Sequence, residues 1–462
     1  MVQTAYMGDI SMSIGIVYAL IFLCLYFEIF LLVSFLERKF GRRGAKERAG
    51  ITHFPHVAII VPCFNEEKTI GATMRSLLAL EYPREKLDII VVDDGSTDRT
   101  FEIASQYINE RDTAHGIANV RAQQRTDVPT NPKCSEDVAI DLNASEFRNT
   151  MCGVSRVRIF HKENGGKHTA MNLGLEKIDA ELIGCLDADS IVEKYALQEM
   201  VSIFKNPKVA AVTPGIHVKN PETILQHMQN VEYRLSVFNR FIFAALGSVF
   251  ITPGPFSIFR TSIVRRLGGW RYAHSTEDME MALRIQAAGL LIANAPRAVV
   301  HTSTPRTLRA LYRQRVRWTY GWICNAKDYR YMFGNRAFGN LGIIILPWAI
   351  FSIATGIYFF FRVMWYGILY AQGELMRIQI MGVHPQLSYD PFYINTSALF
   401  MLVVASVAVI LVLICIGSFI GTGSKKPPMA TPLFLFFYSF LAPVWLLAAV
   451  FRAMFKTGVQ WR

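Results

Sequence analysis

The hydrophobic residues of this sequence are concentrated at its two ends. Ile14–Leu36 is almost wholly apolar, with Glu28 as its only charged residue. At about 23 residues it is long enough to cross a hydrocarbon core of about 30 Å. Near the C-terminus, further apolar stretches of similar length occur at Leu341–Tyr370, Ile394–Ile420 and Pro432–Phe451. The pattern therefore predicts transmembrane helices on both sides of a more polar middle segment, one before it and three after it.

The charges beside the first stretch predict its orientation. No basic residue precedes the stretch, whereas a cluster follows it directly: Arg38, Lys39, Arg42, Arg43, Lys46 and Arg48. A cleaved signal peptide would carry its basic residues first and a small-residue cleavage site afterwards. The positive-inside rule instead places the N-terminus outside and the middle segment in the cytoplasm. We expect an integral membrane protein of the plasma membrane.

The C-terminal stretches leave two alternatives open. Lys425 and Lys426 mark the last link as cytoplasmic, so residues 371–393 would face outward. Three basic residues, Arg452, Lys456 and Arg462, are unfavourable at an external C-terminus. The last stretch is therefore either a full span, which we prefer, or a re-entrant segment. Arg362, inside the second span, either faces a cavity or partner or snorkels from a tilted helix.

Between about His53 and Thr304 the pattern changes to short apolar runs separated by helical periods. The runs are rich in β-branched residues, as strands are: Val57–Val61, Asp88–Val92, Val157–Phe160 and Leu182–Leu186. Strands that alternate with helices predict βαβ units, and hence an α/β domain with a mainly parallel sheet. Ligands of such sheets bind beyond the carboxyl ends of the strands.

The sequence thus divides into parts of different character. They are, in order, an N-terminal span and basic linker at 1–50, the α/β domain at 51–305, a basic and aromatic interfacial helix at 306–335, and a C-terminal membrane region at 336–462. Residues 109–155 are polar and show no sustained period, which indicates an insertion. Residues 229–249 mix arginines with apolar residues, which indicates a second interfacial helix.

Composition and charge narrow the function. Hydrophobic residues make up 52% of the chain and charged residues 18%, which excludes disorder and argues against a soluble protein, whose charged share is about 25%. The net charge of +12 suits anionic lipid, a phosphorylated ligand or nucleic acid. Because the basic residues cluster beside the spans and the polar motifs, we expect lipid and a phosphorylated ligand, and no nucleic acid. The 7 cysteines form no CxxC pair, which argues against a disulfide framework or a zinc site.

Carboxylates follow two of the predicted strands. Asp93 and Asp94 come directly after the second strand, and Gly95 permits a tight turn there. They either cap the next helix or meet the base and ribose of a nucleotide. Asp187 and Asp189 close the fourth strand, where this spacing lets both reach one divalent cation. Mg²⁺ and Mn²⁺ favour such oxygen ligands together with substrate phosphates.

Three further motifs contain charged residues that could serve a site. His161-Lys-Glu-Asn-Gly-Gly-Lys167 opens a predicted helix, whose N-terminus and lysine would favour phosphate. Thr276-Glu-Asp278 is either a capping box or a means of presenting an aspartate as proton acceptor. Gln314-Arg-Val-Arg-Trp318 is either an amphipathic helix on anionic lipid or a site at which arginine holds a diphosphate and tryptophan a sugar ring.

Together these residues resemble the inverting family 2 glycosyltransferases of membranes, which include hyaluronan, chitin, cellulose and poly-N-acetylglucosamine synthases. The resemblance rests on an ordered series of motifs: Asp93, Asp187-x-Asp189, Thr276-Glu-Asp278 and Gln314-x-x-Arg317-Trp318. It covers residues 55–330, and the sequence around the motifs is most similar to the poly-N-acetylglucosamine and hyaluronan branches. The resemblance implies a GT-A-like cytoplasmic domain joined to transmembrane helices.

The resemblance also implies which residues bind the donor. Glu66 and Asp93 would contact the uridine of a UDP-sugar. Asp187 would approach the nucleotide, and Asp189 would bind Mg²⁺ or Mn²⁺ on the diphosphate. Lys167 would help to neutralise the phosphates.

A second group would serve the acceptor. In the third motif, Asp278 would be the base that removes a proton from the acceptor hydroxyl, and Glu277 beside it would bind the substrate. Gln314, Arg317 and Trp318 would close over the diphosphate and the acceptor end.

The activity implied is that of a processive synthase. It would extend a β-linked polysaccharide from a UDP-sugar, which we expect to be UDP-N-acetylglucosamine, and feed the polymer across the bilayer. Because four spans are few for a polymer channel, a small membrane partner subunit or a homo-oligomer would complete it. The alternative is a non-processive transferase that moves one sugar to a lipid acceptor. A transporter or scaffold with a degenerate nucleotide fold is disfavoured, because every expected carboxylate is present.

Overall fold

The computed structural model describes residues 2–40, 53–109, 138–139, 156–383 and 395–455. Most of the predicted insertion at 109–155 lies outside the described residues, as do the basic residues from Arg42 to Arg48 and the second half of the predicted outer loop. The described residues form an α/β domain flanked by long apolar helices.

One sheet forms the centre of the α/β domain. Across the described ranges it contains nine strands in the order β3-β4-β2-β1-β5-β8-β7-β9-β6. The strands are β1 (Val57–Cys63), β2 (Leu87–Asp93), β3 (Val138–Ala139), β4 (Arg156–His161), β5 (Leu182–Cys185), β6 (Ile191–Val192), β7 (Val209–Val218), β8 (Ser257–Arg260) and β9 (Leu291–Thr302).

The four strands predicted from apolar runs are confirmed as β1, β2, β4 and β5, and they lie side by side in parallel. The sheet as a whole is mixed, because β8 runs antiparallel to both β5 and β7. With only four residues, Ser257–Arg260, β8 is too short to show a period in the sequence. The α/β fold is confirmed, and its parallel half is the part that the sequence pattern predicts.

The helices of the α/β domain cover both faces of this sheet. They are α2 (Ile70–Leu78), α3 (Thr100–Asn109), α4 (Lys167–Glu176), α5 (Ala196–Val201), α6 (Ile224–Ala245), α7 (Thr261–Arg266), α8 (Glu277–Ala287) and α9 (Leu308–Asp328). Every residue of β1 and β2 is buried, as expected of parallel strands covered on both sides. Ile59 packs towards α2 and α3, whereas its neighbour Ile60 packs towards α4. The period of two along the strand thus builds two separate cores on the two faces.

Four helices of the described chain are long and apolar enough to cross a membrane, as predicted. They belong to α1 (Val2–Phe40), α10 (Leu346–Met381), α11 (Ala398–Thr422) and α12 (Thr431–Phe455). α10 continues eleven residues beyond the predicted span, so the first half of the predicted outer loop is helical. Arg362 contacts the hydroxyl groups of Tyr358 and Tyr366, one turn away on either side of it in α10.

Two amphipathic helices connect the α/β domain to the membrane helices. α6 begins at a capping box formed by Thr223 and Gln226, and it packs against α1, α11 and α12. α9 packs against α12. α6 also packs against β7 and β9, so it connects the sheet to the membrane helices.

Candidate active site

A cavity of about 400 Å³ opens at the carboxyl ends of β1, β2 and β5. Nine of the ten site residues predicted from the sequence line it, although they come from segments more than 250 residues apart. They are Glu66, Lys167, Asp187, Asp189, Glu277, Asp278, Gln314, Arg317 and Trp318. The fold therefore brings the predicted motifs to one place.

The tenth residue, Asp93, lies beside the cavity. Its side chain is fully buried, with one carboxylate oxygen 2.7 Å from His161 Nδ1 and the other accepting a hydrogen bond from the Ser96 hydroxyl. Its neighbour Asp94 lines the cavity instead. Asp93 ends strand β2, so the alternation of side chains along the chain turns one of the two aspartates to each side.

Asp94 holds the glycine-rich loop that precedes α4. Its carboxylate accepts hydrogen bonds from the backbone N–H groups of Gly165 and Gly166 at 3.0 and 2.8 Å. Lys162 Nζ lies 2.7 Å from the same carboxylate. Gly95 has a φ of +79°, and a Cβ there would lie 2.9 Å from the backbone nitrogen of Asn164. The turn after β2 and the loop before α4 therefore interlock, and they place Lys167 at the start of the helix.

Lys167 forms the electrostatic centre of the cavity. Its Nζ lies 2.7 Å from Asp187 and 3.2 Å from Glu277. Burial lowers the pKa of Lys167, but the attraction of these two carboxylates outweighs burial and holds the pKa well above its usual value. A Cβ on Gly254 would lie 2.5 Å from Lys167 Nζ and 2.6 Å from Asp187. A larger residue at that position would displace the Lys167–Asp187 ion pair, because the pair lies directly against the backbone.

Asp278 has the electrostatic properties of a base. Burial, and then the neighbouring charge of Glu277, raise its pKa from 3.8 to about 6. One of its carboxylate oxygens accepts a hydrogen bond of 2.8 Å from the backbone N–H of Met279. The hydroxyl of Thr252 donates to the Asp278 carbonyl at 2.7 Å. The carboxylate is thus held in place with a pKa close to neutral, as a general base requires.

The backbone before Asp278 is strained. Ala273, His274 and Ser275 have φ values of +44°, +55° and +62°, a left-handed conformation that residues with a side chain seldom adopt. Thr276 makes no capping hydrogen bond to α8; its hydroxyl accepts instead from Asn325 Nδ2 of α9 at 2.8 Å. The capping-box interpretation of this motif is therefore not supported. Contacts with α9 hold the segment in its strained form.

Asp187 and Asp189 have the chemistry expected of divalent-metal ligands. Burial, and then the charges of Asp187 and Glu66, raise the pKa of Asp189 to about 7, so a cation at this point would relieve an excess of negative charge. Among the described residues, no group of three or more His, Cys, Asp or Glu side chains is arranged to hold a metal by itself. The donor set fits Mg²⁺ or Mn²⁺, which bind through one or two carboxylates together with substrate phosphates.

Helix α9 supplies the wall opposite the sheet. Arg317 donates a hydrogen bond of 3.2 Å to the carbonyl of Ser275, and Gln314 Oε1 is buried without a hydrogen-bond donor among the described residues. Arg315, between them, lies 2.7 Å from Glu232 of α6 and 4.5 Å from the centre of the Trp318 ring. The hydroxyl of Tyr438 in α12 also donates to Glu232, at 2.9 Å. One carboxylate therefore joins the cavity wall to a membrane helix.

Sequence reasoning missed several residues of the cavity. Tyr233, Ser236 and Arg240 line it from α6, and Glu232 lines it as well. The first three are spaced i, i+3 and i+7, which places them on one face of a helix and is a signal available in the sequence. By contrast, nothing in the sequence indicates which of the adjacent residues Asp93 and Asp94 lines the cavity.

Comparisons with known proteins agree with this geometry. The glycosyl transferase family group 2 model matches residues 182–452, and the glycosyl transferase family 2 model matches residues 58–126. A poly-beta-1,6-N-acetyl-D-glucosamine synthase of Staphylococcus aureus (strain COL) is 30% identical over 268 residues, 57% of this chain and 54% of the relative. The synthase of the same name in a Staphylococcus epidermidis strain is 27% identical over 290 residues, 62% of this chain and 59% of the relative. The chain thus matches little more than half the length of these curated relatives.

A solved structure resembles the whole chain. It is a mannosyltransferase from Pyrobaculum calidifontis in complex with GDP-Man and Mn²⁺, with a TM-score of 0.55 at 18% identity. The match covers 96% of this chain and 99% of that one, and it shows that the two share a fold. Because the family model extends over more than half of the sequence, from β5 to the last membrane helix, the chain belongs to glycosyl transferase family group 2 and is a glycosyltransferase with a GT-A-like domain.

Proposed function

We propose that this chain is an inverting, processive glycosyltransferase that polymerises a UDP-sugar into a β-linked polysaccharide. The observation that carries the proposal is the position of Asp278, a carboxylate with a pKa of about 6, in the same cavity as the cations Lys167 and Arg317. A base and phosphate-binding cations in one cavity are what sugar transfer from a nucleotide diphosphate requires.

The donor would occupy the sheet side of the cavity. Glu66 would contact the uridine, and Asp187 would approach the nucleotide. Asp93 would act indirectly by holding His161 and Ser96, because its own carboxylate is occupied by them. Lys167 would neutralise the phosphates. A Mg²⁺ or Mn²⁺ ion held by Asp189 would supply positive charge to the leaving diphosphate.

The chemical step would be a direct displacement. Asp278 would take the proton of the acceptor hydroxyl while the acceptor oxygen forms a bond to the anomeric carbon. The bond from that carbon to the diphosphate would break on the opposite side, and UDP would leave with the bonding electrons. One displacement inverts the configuration at the anomeric carbon. Arg317 would bind the diphosphate, and Gln314 and Trp318 would hold the acceptor end.

UDP-N-acetylglucosamine is the donor that we propose. Support comes from the names of the staphylococcal relatives, which are synthases of poly-β-1,6-N-acetyl-D-glucosamine. The catalytic domain would face the cytoplasm of the plasma membrane, with the N-terminus outside. The polymer would then cross the bilayer through the membrane helices, aided by a small partner subunit or a second copy of the chain.

The proposal is tested by measuring UDP release from the purified full-length chain with each of several UDP-sugars, with Mg²⁺, with Mn²⁺ and with chelator. We expect release from UDP-N-acetylglucosamine in the presence of either metal. The products are then separated on a gel. A ladder of sizes supports a processive synthase, whereas a single glycolipid product refutes it in favour of transfer of one sugar to a lipid.

A further inference from the structure

Arg240 of α6 is a buried cation that the proposed function leaves without a role. It lines the cavity, and its Nε and Nη2 atoms are buried without an acceptor among the described residues. Burial lowers its pKa to about 10, and no described carboxylate counters that effect. Arg240 therefore remains charged at neutral pH, with part of its hydrogen-bonding capacity unused.

Two other cations of the cavity are paired with carboxylates, whereas Arg240 is paired with none in the described part of the chain. Lys167 is held by Asp187 and Glu277, and Arg315 is held by Glu232. A buried guanidinium without such a partner is costly, because its lost hydration is not replaced. An anionic ligand in the cavity would supply the missing partner.

The surroundings of Arg240 also suit an anion. Tyr233 and Ser236 lie on the same face of α6, at i−7 and i−4 from Arg240, and both line the cavity. A guanidinium fork flanked by hydroxyl groups can bind several oxygens of one phosphate at once. Phe238 and Ile242 of the same helix pack against α1 and α11, so Arg240 approaches the cavity from the side of the membrane helices.

We propose that Arg240, with Tyr233 and Ser236, forms a phosphate-binding subsite on the membrane side of the catalytic cavity. This inference rests on the proposed function, because it takes the cavity to be the site of transfer. The phosphate has two sources that share one chemistry: the diphosphate of the nucleotide donor, or a phosphate carried by a lipid that enters from the membrane.

The test compares Arg240→Gln with Arg234→Gln in the full-length chain in nanodiscs. Arg234 lies on the same helix and also has a buried guanidinium nitrogen without a described acceptor, but it does not line the cavity. Binding of UDP, uridine and inorganic pyrophosphate is measured by calorimetry, and binding of a polyprenyl phosphate is compared with that of the matching polyprenol.

Loss of a charged hydrogen-bond donor should weaken phosphate binding by about tenfold or more. If UDP and pyrophosphate weaken in Arg240→Gln while uridine does not, the subsite binds the donor diphosphate. If polyprenyl phosphate alone weakens, it binds a lipid phosphate. Arg234→Gln should leave all of these affinities unchanged. Wild-type affinity of Arg240→Gln for every phosphate overturns the subsite.

A second variant controls for loss of binding through misfolding. Arg240→Lys keeps the charge but loses the planar fork, so it should bind phosphate with an affinity between those of the wild type and Arg240→Gln. Sugar transfer is measured in the same preparations. An unchanged phosphate affinity with intact transfer overturns the subsite alone, whereas absence of transfer from every UDP-sugar in the wild type overturns the proposed function.

Discussion

Replacing Asp278 with asparagine tests the proposed base while leaving the rest of the cavity unchanged. Asparagine keeps the size of the side chain and an oxygen that can accept from the Met279 N–H, but it cannot take a proton at neutral pH. A general base contributes about 10²–10⁴-fold to a rate. Transfer should therefore fall at least about 100-fold, equivalent to about 3 kcal/mol in the activation free energy. UDP affinity should change by less than about twofold, because the interaction lost is one made in the transition state.

The same substitution should stabilise the protein. The folded-state pKa of Asp278 is raised above the usual 3.8, so ionisation of this group opposes folding as the pH rises from 3.8 to about 6. The difference between the two values corresponds to about 3 kcal/mol. Because Asp278 is only partly buried in the cavity wall, we expect a smaller gain of about 1–2 kcal/mol for asparagine at pH 7. At about pH 3, below the unfolded-state pKa, the gain should disappear.

The assay combines three measurements on the full-length chain: UDP release, UDP affinity and the thermal midpoint of unfolding. The exposed Asp179→Asn is the matched control, and it should change none of them. In the wild type, the rate should fall about tenfold for each pH unit below about 6, because the base is then protonated. Near-normal transfer by Asp278→Asn would refute the assignment of this residue as the base.

Three other perturbations test separate parts of the cavity. Gly254→Ala places a methyl group 2.5 Å from Lys167 Nζ, so sugar transfer in the UDP-release assay should drop by more than about tenfold. The control Gly367→Ala, whose methyl group would have nothing within 4 Å among the described residues, should have no effect in the same assay. Arg315→Met leaves Glu232 without its cation, so it should lower the free energy of unfolding by about 3 kcal/mol in a denaturation experiment. The control Arg309→Met, at an exposed position, should lower it by less than about 0.5 kcal/mol. A metal chelator should abolish transfer, and added Mg²⁺ or Mn²⁺ should restore it; full activity after exhaustive chelation would contradict a metal on Asp189.

The parts of the fold that were predictable have a strong pattern of hydrophobic residues. β1 and β2 are continuous β-branched runs because both of their faces are buried, and the membrane helices are long enough to stand out by length alone. β8 was not predicted, since its four residues are too few for any period and its place between β5 and β7 depends on tertiary pairing. The same holds for the antiparallel direction of that strand.

The candidate site was predictable wherever a motif stands at the end of a strand or on one helix. Asp187 and Asp189 follow β5, and the cavity lies there. The different positions of Asp93 and Asp94 were not predictable, because they depend on how the strand ends and on which groups meet each carboxylate. The left-handed backbone at Ala273–Ser275 was also missed. None of its residues is glycine, and its conformation is maintained by contacts with α9 rather than by local preference.

The shared contact at Glu232 has a consequence for how this protein responds to its surroundings. This carboxylate accepts from Arg315 in the cavity wall and from Tyr438 in a membrane helix. A helix that spans a bilayer changes its tilt when the hydrocarbon thickness changes. Any tilt of α12 would pull on Glu232 and through it on Arg315, which follows Gln314 directly in the sequence. The thickness of the host membrane should therefore affect the geometry of the cavity, both through this carboxylate and through the packing of α6 and α9 against α12.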